Sequence, residues 1–166
     1  MAHLVPAGPT RTYTAEFGHE QPFRLGSYVV RAWTDPGPGR RRAFVEVEQR
    51  GPASCRLDLF YPNTADLRRG VQCEVDGRKF VVRRNGPKLR RSARRTSVIG
   101  PSGEMLVVIR RGRADAIVRP NGEVIWESWP ITGIAPDLAP DEVAVVAMLL
   151  ATGVPERMAL VNNLSP

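Results

Sequence analysis

From Thr12 to Glu127 apolar residues fall largely at alternate positions, in short runs closed by glycine, proline or Asp-Gly. A period of two predicts half-buried antiparallel strands joined by tight turns. "TYTAEF" and "FRLGSYVVRAW" read as strands rich in β-branched and aromatic residues, and "TDPGPGRR" supplies a turn before "AFVEVEQR", where Val45 and Val47 alternate with Glu46 and Glu48. "CRLDLFYP" alternates likewise up to Pro62, and "DLRR" reads as a helical turn. "VQCEVDGRKFVVRR" is the clearest hairpin, because Asp76-Gly77 supplies the positive φ of a tight primed turn. "VIGPSGEMLVVI" and "IVRPNGEVIWE" share a Pro-x-Gly-Glu turn, which predicts a meander of hairpins.

One stretch breaks the period. In "PDEVAVVAMLLATG", Pro140 suits a first helical position, Asp141 and Glu142 favour the positive end of the helix dipole, and Gly153 suits a C-terminal cap. Val143 to Ala151 are all apolar, so this helix of about three turns has no polar face and must be buried on every side. The expected fold is mainly β: a single antiparallel β-barrel or strongly curved sheet packed around a C-terminal apolar core helix at about 140–152. A helix held between a sheet and a partner subunit is the alternative. Residues 1–10, with Pro6, Gly8 and Pro9, read as a flexible tail, and 11–166 as a single domain.

Composition agrees with a folded chain: of 166 residues 42% are hydrophobic and 25% charged, close to globular averages. No segment reaches the ~18 apolar residues of a transmembrane segment, and "MAHLVPAGPTRT" lacks the order of a signal peptide, so the expected location is cytoplasmic. Cys55 and Cys73 lie on the apolar side of alternating runs and read as reduced core residues, with a bridge between neighbouring strands as the alternative.

Charge changes the picture more. From Arg78 to Arg113 there are twelve basic residues and one acid, Glu104, while the rest of the chain is net negative. Within this segment "RRNGPKLRRSARRTS" holds Arg83, Arg84, Lys88, Arg90, Arg91, Arg94 and Arg95. Such a cluster predicts a face for an anionic lipid or phosphate ligand, or for the phosphate backbone of nucleic acid. Single-strand binders interleave stacking rings with their cations, and no aromatic follows Phe80 until Trp126, which favours the lipid or phosphate reading. A solvated cluster is the plain alternative, its charge balanced by the acidic C-terminal third within the chain or across a homo-oligomer or assembly partner. "RRTS", Arg94 to Ser97, also has the form of a basic-directed phosphorylation site.

The strand, Gly-turn and strand of "RRTSVIGPSGEMLVVIRR" and the terminal helix of "APDEVAVVAMLLATG" resemble the tubby-like superfamily, which includes the LURP-one-related proteins and phospholipid scramblases. The resemblance covers roughly Phe23 to Gly153. It implies a closed antiparallel barrel around a central hydrophobic helix, non-enzymatic, with a basic outer face for phosphoinositide headgroups; by position Lys88, Arg90, Arg91, Arg94 and Arg95 would carry that face. The chain has no acidic run resembling a scramblase calcium site.

Catalytic chemistry finds few residues. His19, beside Glu20, is a candidate base, and Glu46, Glu48 and Asp58 are candidate paired carboxylates only if their strands bring them together. Nucleophile elbows, phosphate-binding glycine loops and paired metal-ligand motifs are absent from the sequence. The expected function is therefore a non-catalytic binding or interaction module with a basic face, needing no cofactor and no metal.

Overall fold

The computed structural model describes residues 23–35, 41–48, 53–59, 62–85, 94–112, 114–128 and 134–154. Ten strands form one antiparallel sheet in sequence order: β1 Phe23–Leu25, β2 Tyr28–Thr34, β3 Ala43–Val47, β4 Ala53–Leu57, β5 Val71–Val75, β6 Arg78–Arg84, β7 Arg95–Gly100, β8 Gly103–Arg111, β9 Ala114–Val118 and β10 Val124–Glu127. A short helix, α1 Thr64–Arg69, lies between β4 and β5, and α2 Pro140–Ala151 follows the sheet. Pairing runs from β1 to β10 without a β10–β1 ladder, so the sheet is open among the described residues. The curved-sheet form of the expectation holds; the closed barrel implied by the tubby-like resemblance does not appear there.

Turn chemistry sets the register. Asp76 and Gly77 both take positive φ, 48° and 76°, so β5 and β6 close through the primed turn their sequence demands. "FRLGSYVVRAW" is not one strand as expected but a hairpin: Leu25 pairs with Tyr28, and Gly26 at φ 61° turns the chain between them. A positive φ on the first turn residue is the position where glycine is cheapest. Between β7 and β8 the ladder shifts after Val98, and Gly100 lies beneath the Phe80 ring: a Cβ there would stand 2.3 Å from Phe80 Cε1, so the aromatic fills the space a side chain would take. α1 begins at a reciprocal cap, with the Asp66 N–H donating to Asn63 Oδ1 at 2.8 Å and the Asn63 N–H to Asp66 Oδ2 at 3.1 Å. The expected "TYTAEF" strand and the 1–10 tail lie outside the described residues.

The core explains the curvature. Every residue of α2 from Val143 to Ala151 is at most 1% exposed. One contiguous apolar cluster joins that helix to side chains from all ten strands, including Leu25 of β1, Cys55 of β4, Val98 of β7 and Ile125 of β10. A flat sheet covers one side of a helix only, so a helix buried on every side, in one cluster with all ten strands, calls for a sheet that bends around it. The helix packs most closely on β2 to β5. Its end is a Schellman cap, in which the Val154 N–H donates to Leu149 O and the Gly153 N–H to Leu150 O, with Gly153 at φ 70°. The Tyr28 hydroxyl donates to the Leu138 carbonyl and fixes the segment that leads into the helix.

Ion pairs seat the acidic start of α2. Arg119 forks onto Glu142, with Nε to Oε1 at 3.0 Å and Nη2 to Oε2 at 3.1 Å, while its Nη1 reaches Glu123 at 2.6 Å. Those carboxylates raise the Arg119 pKa further above its already high value. Arg78 of β6 pairs with Asp141 at 3.0 Å. No described helix is long and apolar enough to cross a membrane.

Cys55 and Cys73 are buried and free, with their sulfurs 3.5 Å apart. They sit diagonally on β4 and β5, since Cys55 faces Val75 and Cys73 faces Leu57. The Cys73 hydrogen bond and burial together push the Cys55 thiol well above its ordinary pKa. The reduced core reading is the arrangement found.

Two outcomes are expected. Val146→Asp or Leu149→Asp loses about 2–5 kcal/mol of packing and adds several more for a buried charge, against a typical stability of about 5–15 kcal/mol. Neither variant should give a cooperative melt, and a soluble variant that melts cooperatively would show that the helix is not enclosed. An aromatic disulfide reagent should leave both thiols unmodified in the native chain and titrate both in denaturant, because the core keeps both buried sulfurs from the reagent; rapid native labelling would contradict the burial.

Candidate functional site

The antiparallel register turns a linear cluster into a place. β6 ends at Arg84, β7 begins at Arg95 and β8 ends at Arg111, and these three termini lie at one end of the sheet. Arg83, Arg84, Arg94, Arg95, Arg110 and Arg111 therefore come together on neighbouring strands. Lys88, Arg90 and Arg91 belong to the connection between β6 and β7 and lie outside the described residues.

Strand alternation then divides the four described cluster residues between two faces. Phe80, Val82 and Arg84 point to the core side of β6, while Arg83 stands exposed on the outer side. Arg84 is only 9% exposed; its Nε donates to Thr96 Oγ1 at 2.9 Å and its Nη2 to the Val154 carbonyl at 3.3 Å. That second bond supplies a cation just beyond the C-terminal end of α2, where the helix dipole is negative and the helix carries no basic residue of its own. Arg94 is half-buried and lines the inner pocket beside Arg84. Arg95 lies on the outer face and reaches along it to Glu104 at 2.8 Å.

The inner pocket holds residues that the sequence reading did not single out. Arg110 lies on the core side of β8, opposite Asp115 of β9, and its Nη1 meets Asp115 Oδ1 at 3.3 Å. The Asp115 N–H donates to Ser128 Oγ, which ties β9 to the segment after β10. Arg84, Arg94, Thr96, Arg110, Asp115 and Val154 bound a cavity of about 20 Å³. Parity along "RKFVVRR" was enough to place Arg84 inside. The Arg110 and Asp115 pair needed the β8–β9 register, which no local pattern states.

The remaining candidates separate. Thr96 is 2% exposed and Ser97 7%, and the Ser97 hydroxyl donates to Glu104 Oε1 at 2.7 Å, so the folded chain withholds both hydroxyls of "RRTS" from a modifying enzyme. Glu46 and Glu48 are exposed on the outer side of β3, and Asp58 pairs with Arg56 at 3.0 Å, so the three carboxylates form no shared site. His19 lies outside the described residues. Among the described residues no group of histidine, cysteine or acidic side chains has the arrangement to hold a metal ion. Trp126 is buried in the core, and no aromatic among the described residues lines the arginine pocket.

Comparison with protein-family models, curated proteins and solved structures finds no match for this chain.

The outer ion pair has a pH signature. Ser97 and Arg95 hold the Glu104 carboxyl below its ordinary value. A carboxylate with a depressed folded pKa adds stability that is present above the unfolded value of about 4.3 and lost as the pH falls through the lower folded one. Urea melts of wild type and Glu104→Gln across that acid range should show a shallower loss in the variant, and coincident acid limbs would remove Glu104 as a contributor.

Proposed function

We propose that the chain is a non-catalytic binding module whose arginine-rich sheet end, at the β6–β8 termini, takes an anionic phosphate group of a membrane headgroup or a free phosphate compound. The observation that carries this reading is that Arg83, Arg84, Arg94, Arg95, Arg110 and Arg111 lie at or beside the termini of three neighbouring strands at one end of the sheet, divided between its two faces. Guanidinium groups offer planar pairs of donors that match phosphate oxygens, which a solvated lysine face would do less well. The absence of described aromatic side chains from the pocket supports phosphate contact over base stacking. The tubby-like resemblance points the same way and stands as part of this proposal.

The nearby acids set the terms of the test. Glu104 and Asp115 pair with Arg95 and Arg110, and Glu127 pairs with Arg111, so part of the cation set is already neutralised within the fold. Binding should be measured on vesicles of phosphatidylcholine with and without phosphoinositide, and on duplex and single-stranded DNA, across a salt series, for wild type and for the chain with Arg90, Arg91, Arg94 and Arg95 changed to alanine. The expected result is headgroup-dependent vesicle binding that the four changes reduce by about tenfold or more, each nearby cation contributing on the order of 1 kcal/mol. A steep salt slope on DNA with no vesicle preference would instead assign the face to a nucleic-acid backbone. Unchanged binding in the variant, or no binding and a defined oligomer, would assign the arginines to solvation or assembly.

A further inference from the structure

Resting on that reading, we propose that the phosphate group is held on the outer face of the sheet end by Arg83, Arg95 and Ser97, and that the chain's own Glu104 carboxylate occupies this site until the ligand displaces it. The receptor is visible because it already holds an anion. Glu104 Oε1 accepts from the Ser97 hydroxyl at 2.7 Å, and Glu104 Oε2 from Arg95 Nη2 at 2.8 Å. Ser97 is 7% exposed, so a nearly buried hydroxyl and an exposed guanidinium converge on one carboxylate. Arg95 faces Ile109 across the ladder whereas Glu104 faces Ile99, four residues further along β7. The Arg95 side chain therefore runs along the strand past Ser97 to reach its partner.

Arg83 completes the set. It stands directly across from Ser97 on β6, and a diagonal step over the same ladder leads to Arg95, a separation that long side chains span. Arg83 is exposed and its side chain makes no ion pair among the described residues. Gly70 leaves it room: a Cβ there would stand 3.1 Å from Arg83 Nε, so the guanidinium rests against bare backbone. A phosphate has two advantages over the carboxylate it replaces. The Arg95 and Glu104 side chains are 47% and 33% exposed, and an ion pair in water holds weakly, so the pair opens easily. A terminal phosphate also brings more charge and a third acceptor oxygen, which can engage Arg83 while the others take the Ser97 and Arg95 donors that Glu104 gives up.

Removing the internal anion should tighten binding. Glu104→Gln keeps a side chain of the same size and takes away its charge, and the position is exposed, so the variant keeps the fold. Wild type and variant are compared at one ionic strength on inorganic phosphate by calorimetry, and on phosphatidylcholine vesicles with and without phosphoinositide, which separates a free phosphate from a headgroup as the source. Glu104→Gln should bind about two- to fivefold tighter, the range that the strength of exposed ion pairs allows. Adding Arg95→Gln should abolish the gain, and adding Arg83→Gln instead should weaken the Glu104→Gln chain by about fivefold. Glu127→Gln removes the same charge from the Arg111 pair at this end of the sheet and should give a clearly smaller gain. An equal gain in Glu127→Gln, or one that survives Arg95→Gln, would assign the effect to net charge and overturn the inference while the anion-binding reading stands. Wild type that binds while Glu104→Gln binds no tighter overturns the inference alone, and no binding of any probe by either chain overturns both.

Discussion

A helix with no polar face can be stable in water only if something covers every side of it, and α2 is such a helix. Its nine consecutive apolar residues are enclosed to within 1% exposure. Most surface helices give the core one stripe and keep the remainder for solvent, which lets a sheet stay nearly flat beneath them. Here the sheet supplies most of the partners, with Leu67, Ile134, Ala135, Leu138 and Val154 from outside it, and side chains from all ten strands reach the same apolar cluster. The curl of the sheet follows from that demand, while Val107, Ala116 and Val118 form a second, smaller apolar cluster apart from it. Closure is a separate matter, because curvature alone encloses a helix whether or not the two edge strands pair.

Burying an uncharged cylinder leaves its ends as the electrically exposed parts, and the arginines are distributed accordingly. Asp141 and Glu142 at the helix start are met by Arg78 and Arg119, and the carbonyl of Val154 beyond the helix end is met by Arg84. The same residue that helps to form the basic sheet end thus also completes the core helix. Arg84 therefore has a structural duty whether or not a ligand binds beside it.

Period-two patterning, the Asp-Gly turn and the apolar helix made the architecture legible before any coordinates. Each depends on residues adjacent in the chain, so local chemistry was sufficient. The hairpin within "FRLGSYVVRAW" was missed although Gly26-Ser27 carried a signal for it, since flanking apolar residues let the run pass for one strand. The Arg119 clamp on Glu142 and the Arg110 pair with Asp115 were out of reach for a different reason: the first joins the sheet to a helix 23 residues on, and the second depends on a register that only the folded sheet sets.

The basic cluster shows how far a charge count can mislead without parity. Seven cations in "RRNGPKLRRSARRTS" look like one surface, yet a strand sends neighbouring side chains to opposite faces, so Arg83 and Arg84 are separated by the sheet itself. What brings cations together is the antiparallel return of β7 and β8, which carries Arg94 and Arg110 to the face that Arg84 occupies. Consecutive arginines therefore divide between an outer face, where water and Glu104 moderate their charge, and an inner pocket, where Thr96 and the Val154 carbonyl hold Arg84 and Asp115 holds Arg110.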